Sequence, residues 1–96
     1  MTPVLTLPLK RPYFDAIRAG TKTEEYRLVT PYWRKRLEGK KYGLIMLTLG
    51  YPARADSSRR IVREWRGYRV IENFVHEHFG AHPVTVFAID VSGVQP

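Results

Sequence analysis

Residues Ala19–Arg27 read AGTKTEEYR, and the fold turns on how this stretch is read. Gly20 stops what precedes it, because glycine takes the left-handed backbone that ends a helix without steric cost. The residues that follow suit an extended chain, so helix gives way to strand here. The strand is unusual. Lys22, Glu24, Glu25, Tyr26 and Arg27 all ionise or donate hydrogen bonds, and apolar sequence lies on both sides.

Upstream, PVLTLPL (Pro3–Leu9) alternates Val4, Thr6 and Pro8 against Leu5, Leu7 and Leu9, which reads as a strand. Pro3 and Pro8 assign it to an edge or to strand ends. PYFDAIRAG follows as a helix, with Pro12 in the first turn and Phe14 and Ile17 on one face. Downstream, KTEEYRLV is the second strand. TPYWRKRLEG is a second short helix, with Thr30 as its N-cap, Pro31 in its first turn and Gly39 at its end.

YGLIMLTLG (Tyr42–Gly50) is apolar on both faces and reads as a central strand buried on both sides. YPARADSS is a loop by composition. RRIVREWRGYRVI is expected to be one strand, Ile61 and Trp65 opposing Val62, Glu64 and Arg66, with a bulge at Gly67. NFVHEHFG reads as a short helix or turn with Phe74, Val75 and Phe79 inward, and VTVFAIDVSG as a closing strand. This order predicts an α+β fold: a small mixed or antiparallel barrel of about five to six strands with two to three short helices.

The chain of 96 residues is expected to be a single domain over 1–96. Its hydrophobic fraction of 44% and charged fraction of 26% are those of a globular protein. The absence of cysteine excludes disulfides, iron–sulfur clusters and thiol catalysis. The N-terminus lacks a signal-peptide pattern, and no apolar run approaches about 18 residues. A soluble, cytoplasmic protein with no membrane association is expected.

The net charge is +7, and all 16 lysines and arginines lie between Lys10 and Arg69. Clustered positive charge favours a polyanion, nucleic acid above all.

The segment LPLKRPYFDAIRAGTKTEEYRLVTPYWRKRL (Leu7–Leu37) resembles the ASCH domain family, whose fold is a PUA-like β-barrel. The family signature is a strand ending in a basic residue, an aromatic-containing helix, then Gly-x-Lys-x-x-Glu-x-Arg. Here these are Lys10, Tyr13 with Phe14, then Gly20, Lys22, Glu25 and Arg27. The helix PYWRKRL and the later LGYPARADSSRRIVREWRGY resemble the short ASCH proteins of bacteriophages and prophages. The resemblance implies a nucleic-acid-associated role, usually with RNA. It also implies possible hydrolase activities: a ribonuclease, or an amidohydrolase acting on N4-acetylcytidine. In the amidohydrolase a strand lysine, a threonine three residues on and a distant glutamate form the proposed triad. Lys22 matches the lysine, Glu25 stands at the threonine's position, and the glutamate's segment has no counterpart here.

Read from the residues, Glu25 and Arg27 are a structural ion pair that fixes the strand, or part of a cleft, or both. In a cleft, Arg27 clamps a phosphate or base edge and Glu25 accepts a proton or a base amino group. Strand alternation places Lys22, Glu24 and Tyr26 on one side and Thr23, Glu25 and Arg27 on the other. Lys22, with Lys10 as its partner, is a phosphate or base ligand, or with Glu25 a catalytic pair.

Tyr51 is the stacking candidate among the aromatics, while Trp33 and Trp65 read as core. Arg36, Arg54, Arg59 and Arg60 extend the nucleic-acid footprint. His76, His78 and His82 lack metal-ligand spacing, so neither metal nor cofactor is expected. Glu64 and Glu72 are the remaining candidates for a third catalytic group. The expected ligand is RNA or a nucleotide, with DNA as a further option. The alternatives are a small hydrolase using the same cleft and a phage protein that binds a host protein. A protein partner and self-association stay open.

Overall fold

The computed structural model describes residues 2–96. Strand β1 (Val4–Leu9) leads into helix α1 (Arg11–Ala19), strand β2 (Glu24–Leu28) and helix α2 (Pro31–Leu37). Strands β3 (Leu44–Leu49), β4 (Arg60–Glu64), β5 (Tyr68–Phe74) and β6 (Val84–Asp90) follow. Three-residue 3-10 turns at Ser57–Arg59 and Glu77–Phe79 sit in the loops before β4 and β6. The six strands form two three-stranded sheets, ordered β1-β3-β4 and β2-β6-β5.

Local signals explain most boundaries. Gly20 stands at φ 82°, and its N–H donates to the Ile17 carbonyl, which closes α1. The Thr30 hydroxyl accepts from the Trp33 N–H at 3.3 Å, capping α2. β1 runs parallel to β3, with Leu5 opposite Ile45 and Leu7 opposite Leu47. All four are buried and build the core with Phe14 and Ile17 of α1, Leu37 of α2, and Phe87 and Ile89 of β6. One connected core therefore joins both sheets and both helices.

Three expectations need correction. RRIVREWRGYRVI is two strands. β4 pairs with β3, β5 pairs with β6, and the chain crosses between the sheets at Trp65–Gly67. Gly67, at φ 85°, is the corner of that crossing, pinned where its carbonyl accepts the Asp90 N–H at 3.0 Å. Alternation alone cannot see the corner, because it does not show which sheet each strand joins.

Burial on both faces is fullest in β6, whose Val86, Phe87, Ala88 and Ile89 are all buried, whereas in β3 Leu44 and Met46 are only half-buried. Each is the middle strand of its sheet.

Finally, Phe74 ends β5 instead of opening a helix, and Val75 is exposed. The β5–β6 register shifts between Ile71 and Phe74, with Asn73 at φ 54°, and this turns the strand end away from the expected phase.

Candidate functional site

β2 is an edge strand, and its register explains the charged stretch. Glu25 lies opposite Ile89 and Arg27 opposite Phe87. Residues directly opposite one another share a sheet face. Glu25 and Arg27 therefore leave β2 on the side that carries the core. Among the described residues no further strand pairs with that edge, and the core gives way to a cleft of about 190 Å³. Its lining comes from four places: Pro8, Leu9 and Lys10 at the end of β1, Tyr13 on α1, Lys22, Glu25, Tyr26 and Arg27 at and before β2, and His76, His78 and Phe79 from the loop before β6.

The floor is an ion triad. The Glu25 carboxylate, with 7% of its side chain exposed, meets Arg27 Nη1 at 2.8 Å and Lys22 Nζ at 3.5 Å. Arg27 Nη2 also donates to the Pro8 carbonyl at 3.2 Å, tying the edge of one sheet to an edge strand of the other. The expected structural pair and the expected cleft are thus the same atoms.

Lys22 departs from the expected phase. The turn after α1 places both Thr21 N–H and Lys22 N–H on the Ala16 carbonyl, and the strand begins only at Glu24. Alternation does not reach Lys22, which swings to the Glu25 side. Its ammonium lies 4.8 Å from the centre of the Tyr26 ring and 5.4 Å from that of Tyr13. Lysine so placed is held by both the carboxylate and the ring faces.

The wall from the loop before β6 was not anticipated. His76 Nδ1 accepts the His78 backbone N–H at 3.1 Å, which shapes the Glu77–Phe79 turn. The His78 ring meets Tyr13 edge-on, with Nδ1 3.3 Å from the Tyr13 hydroxyl. The His76 ring stacks on Phe74 at 10° between planes. Among the described residues no group of three or more His, Cys, Asp or Glu stands together as a metal site. The usable signal was the density of rings in NFVHEHF, not the ligand spacing.

The other candidates lie elsewhere. Arg36 projects from α2, bonded to the Tyr32 hydroxyl at 2.6 Å, and both Arg36 and Arg27 lie over the Trp33 ring. Trp33 and Trp65 are half-buried against the core. Tyr51, Arg54 and Arg59 share the loop between β3 and β4, and Arg60 opens β4 at its end. Arg59 pairs with Asp56 at 3.1 Å. Arg60 donates to the carbonyls of Pro52, Ala53, Arg54 and Asp56, so its guanidinium is occupied within the loop. Glu64 and Glu72 are exposed and do not line the cleft.

Electrostatics follow this layout. Burial pushes the Tyr26 phenol above its ordinary range, and the nearby Glu24 and Glu25 charges act in the same direction. On the face of β2 away from Glu25 and Arg27, the hydrogen-bonded Arg69 guanidinium holds the Glu24 carboxyl below the usual carboxylate range. No helix among the described residues is long and apolar enough to cross a membrane.

Compared with family models, with curated proteins and with solved structures, the chain finds no match.

Proposed function

We propose that the chain is a nucleic-acid-associated domain of the ASCH type, its two sheets forming a PUA-like barrel, and that the cleft beside β2 takes one base or nucleotide of RNA. One observation carries this reading. Three cationic side chains, Lys10, Lys22 and Arg27, meet the rings of Tyr13, Tyr26 and Phe79 around one cleft. Cations recognise phosphate and rings stack on bases, and single-stranded nucleic acid presents both. A cleft of about 190 Å³ is smaller than drug-sized pockets, which run to about 300–1,000 Å³, so it suits one ring system. The net charge of +7 supplies long-range attraction for the rest of the strand.

The test is a titration of the protein with short RNA, short DNA and nucleoside monophosphates at two salt concentrations. Binding that weakens with salt supports the reading. No binding at low salt overturns it.

A second reading is a metal-independent hydrolase, a ribonuclease or an amidohydrolase of a modified nucleoside. Its support is the meeting of an ammonium, a carboxylate and two imidazoles in one cleft, all groups that carry protons in acid–base catalysis. Incubation with an RNA pool and with N4-acetylcytidine, beside Lys22→Ala, tests it. Turnover that survives the substitution removes Lys22 from the mechanism.

A further inference from the structure

We infer that Tyr51 is a second base-stacking station beside the cleft, so that the ligand is a single strand of at least two nucleotides and not a free nucleoside or mononucleotide. This rests on the proposed cleft function and goes beyond it by naming the ligand class.

The ring of Tyr51 is 92% exposed, the highest value among the large apolar side chains of the described residues. It contributes nothing to the core, so folding does not account for it. Its position is nonetheless built. β1 and β3 run side by side, and the Gly50 N–H donates to the Leu9 carbonyl at 2.9 Å. Tyr51 follows Gly50 just as Lys10 follows Leu9, and both Leu9 and Lys10 line the cleft. Neighbouring strands lie about 4.8 Å apart, so Tyr51 stands about one strand spacing from the cleft rim at Leu9 and Lys10, a span on the order of one or two stacked nucleotides at about 3.4 Å each.

The backbone around the ring is braced from both sides. Gly50 takes the left-handed conformation at φ 63°, and the buried Thr48 hydroxyl donates to its carbonyl at 2.7 Å. On the far side Arg60 gathers the carbonyls of Pro52, Ala53, Arg54 and Asp56. Arg18 on α1 donates to the Ser58 carbonyl at 2.6 Å and holds the loop against the helix. The braced loop thus fixes the backbone that carries the exposed ring. A stacking platform gains from this, because only the side-chain rotamers are left to order on binding. Arg54, exposed on the same loop, offers a cation to a phosphate of the continuing strand.

The experiment compares the affinity of a hexaribonucleotide with that of the matching nucleoside monophosphate, by fluorescence titration, in wild type, Tyr51→Ala, Tyr51→Phe and Arg60→Lys. The ratio of the two affinities is the readout. We expect Tyr51→Ala to lower it at least about fivefold, the size of one base–aromatic stack. Tyr51→Phe keeps the ring and should keep the ratio. Arg60→Lys loosens the brace and should lower it. A ratio unchanged in Tyr51→Ala, with monophosphate binding intact, overturns the second station and leaves the cleft reading standing. Binding of neither ligand overturns both. A single ring on the surface makes the alanine variant safe for the fold, and its melting curve verifies this.

Discussion

Arg27 Nη1 lies 2.8 Å from Glu25 Oε2, and both side chains leave the same face of an edge strand, the face that elsewhere carries the core. This pair makes the end of the apolar core and the beginning of the cleft a single structural event. It also makes the carboxylate the common partner of two of the cleft's three cations, since Lys22 Nζ meets Glu25 Oε1 at 3.5 Å.

Removing Glu25 should therefore harm the fold more than removing either cation. Glu25→Ala leaves Lys22 and Arg27, with side chains 16% and 20% exposed, without their carboxylate. A fully buried pair broken this way costs about 3–5 kcal/mol; the partial exposure of both cations brings the expectation to about 1–3 kcal/mol. Urea unfolding of Glu25→Ala and Arg27→Ala measures it. Equal losses in the two would show that the carboxylate is not the hub.

Lys22 belongs to the ligand more than to the fold. Lys22→Ala should unfold within about 1 kcal/mol of wild type, because Arg27 at 2.8 Å still pairs the Glu25 carboxylate and the lost contact is the longer one at 3.5 Å. Its effect should appear in the salt dependence of RNA binding. If Lys22 contacts one phosphate of a single strand, the slope of log affinity against log salt falls by about 0.7. A slope identical to that of wild type would remove Lys22 from phosphate contact.

The two sheets are joined through glycines with different demands. At Gly67 a Cβ would meet nothing within 4 Å, so Gly67→Ala bears only the left-handed backbone cost, about 1–2 kcal/mol. At the buried Gly93 a Cβ would run into the Glu64 carbonyl oxygen. Gly93→Ala must displace backbone and should lower the melting temperature further than Gly67→Ala. The reverse order would show that the corner at Gly67, not the contact at Gly93, limits the fold.

Tyr26 gives the protein an alkaline liability. Its phenol is held above its ordinary range by burial, so the folded state keeps a proton that the unfolded state releases. The stabilisation is complete below the unfolded value, about pH 10, and is lost as pH rises through the higher folded value. The urea midpoint should fall over that window, and Tyr26→Phe should flatten the fall. An unchanged profile in the variant would place the alkaline loss on other groups.

Much of this architecture is legible locally. Gly20 as a helix stop, Thr30 as a cap, the alternation of Leu5, Leu7 and Leu9, and the apolar run of β3 all act within a few residues, so periodicity and capping chemistry reveal them. The motif residues Lys10, Lys22, Glu25 and Arg27 were legible as a set, and the structure brings them to one cleft.

Three features were not legible, for one reason. The corner at Gly67 depends on which sheet each half of a continuous alternating run joins. The reach of Lys22 to Glu25 depends on where the α1 turn ends and β2 begins. The wall of His76, His78 and Phe79 depends on β6 pairing with both β2 and β5, which carries the loop before it across to α1. The sequence by itself determined most of the elements, their order and the chemical groups available, because those follow from forces between near neighbours. Only the tertiary structure decided which groups meet, because pairing between distant strands is set by burial of the shared core.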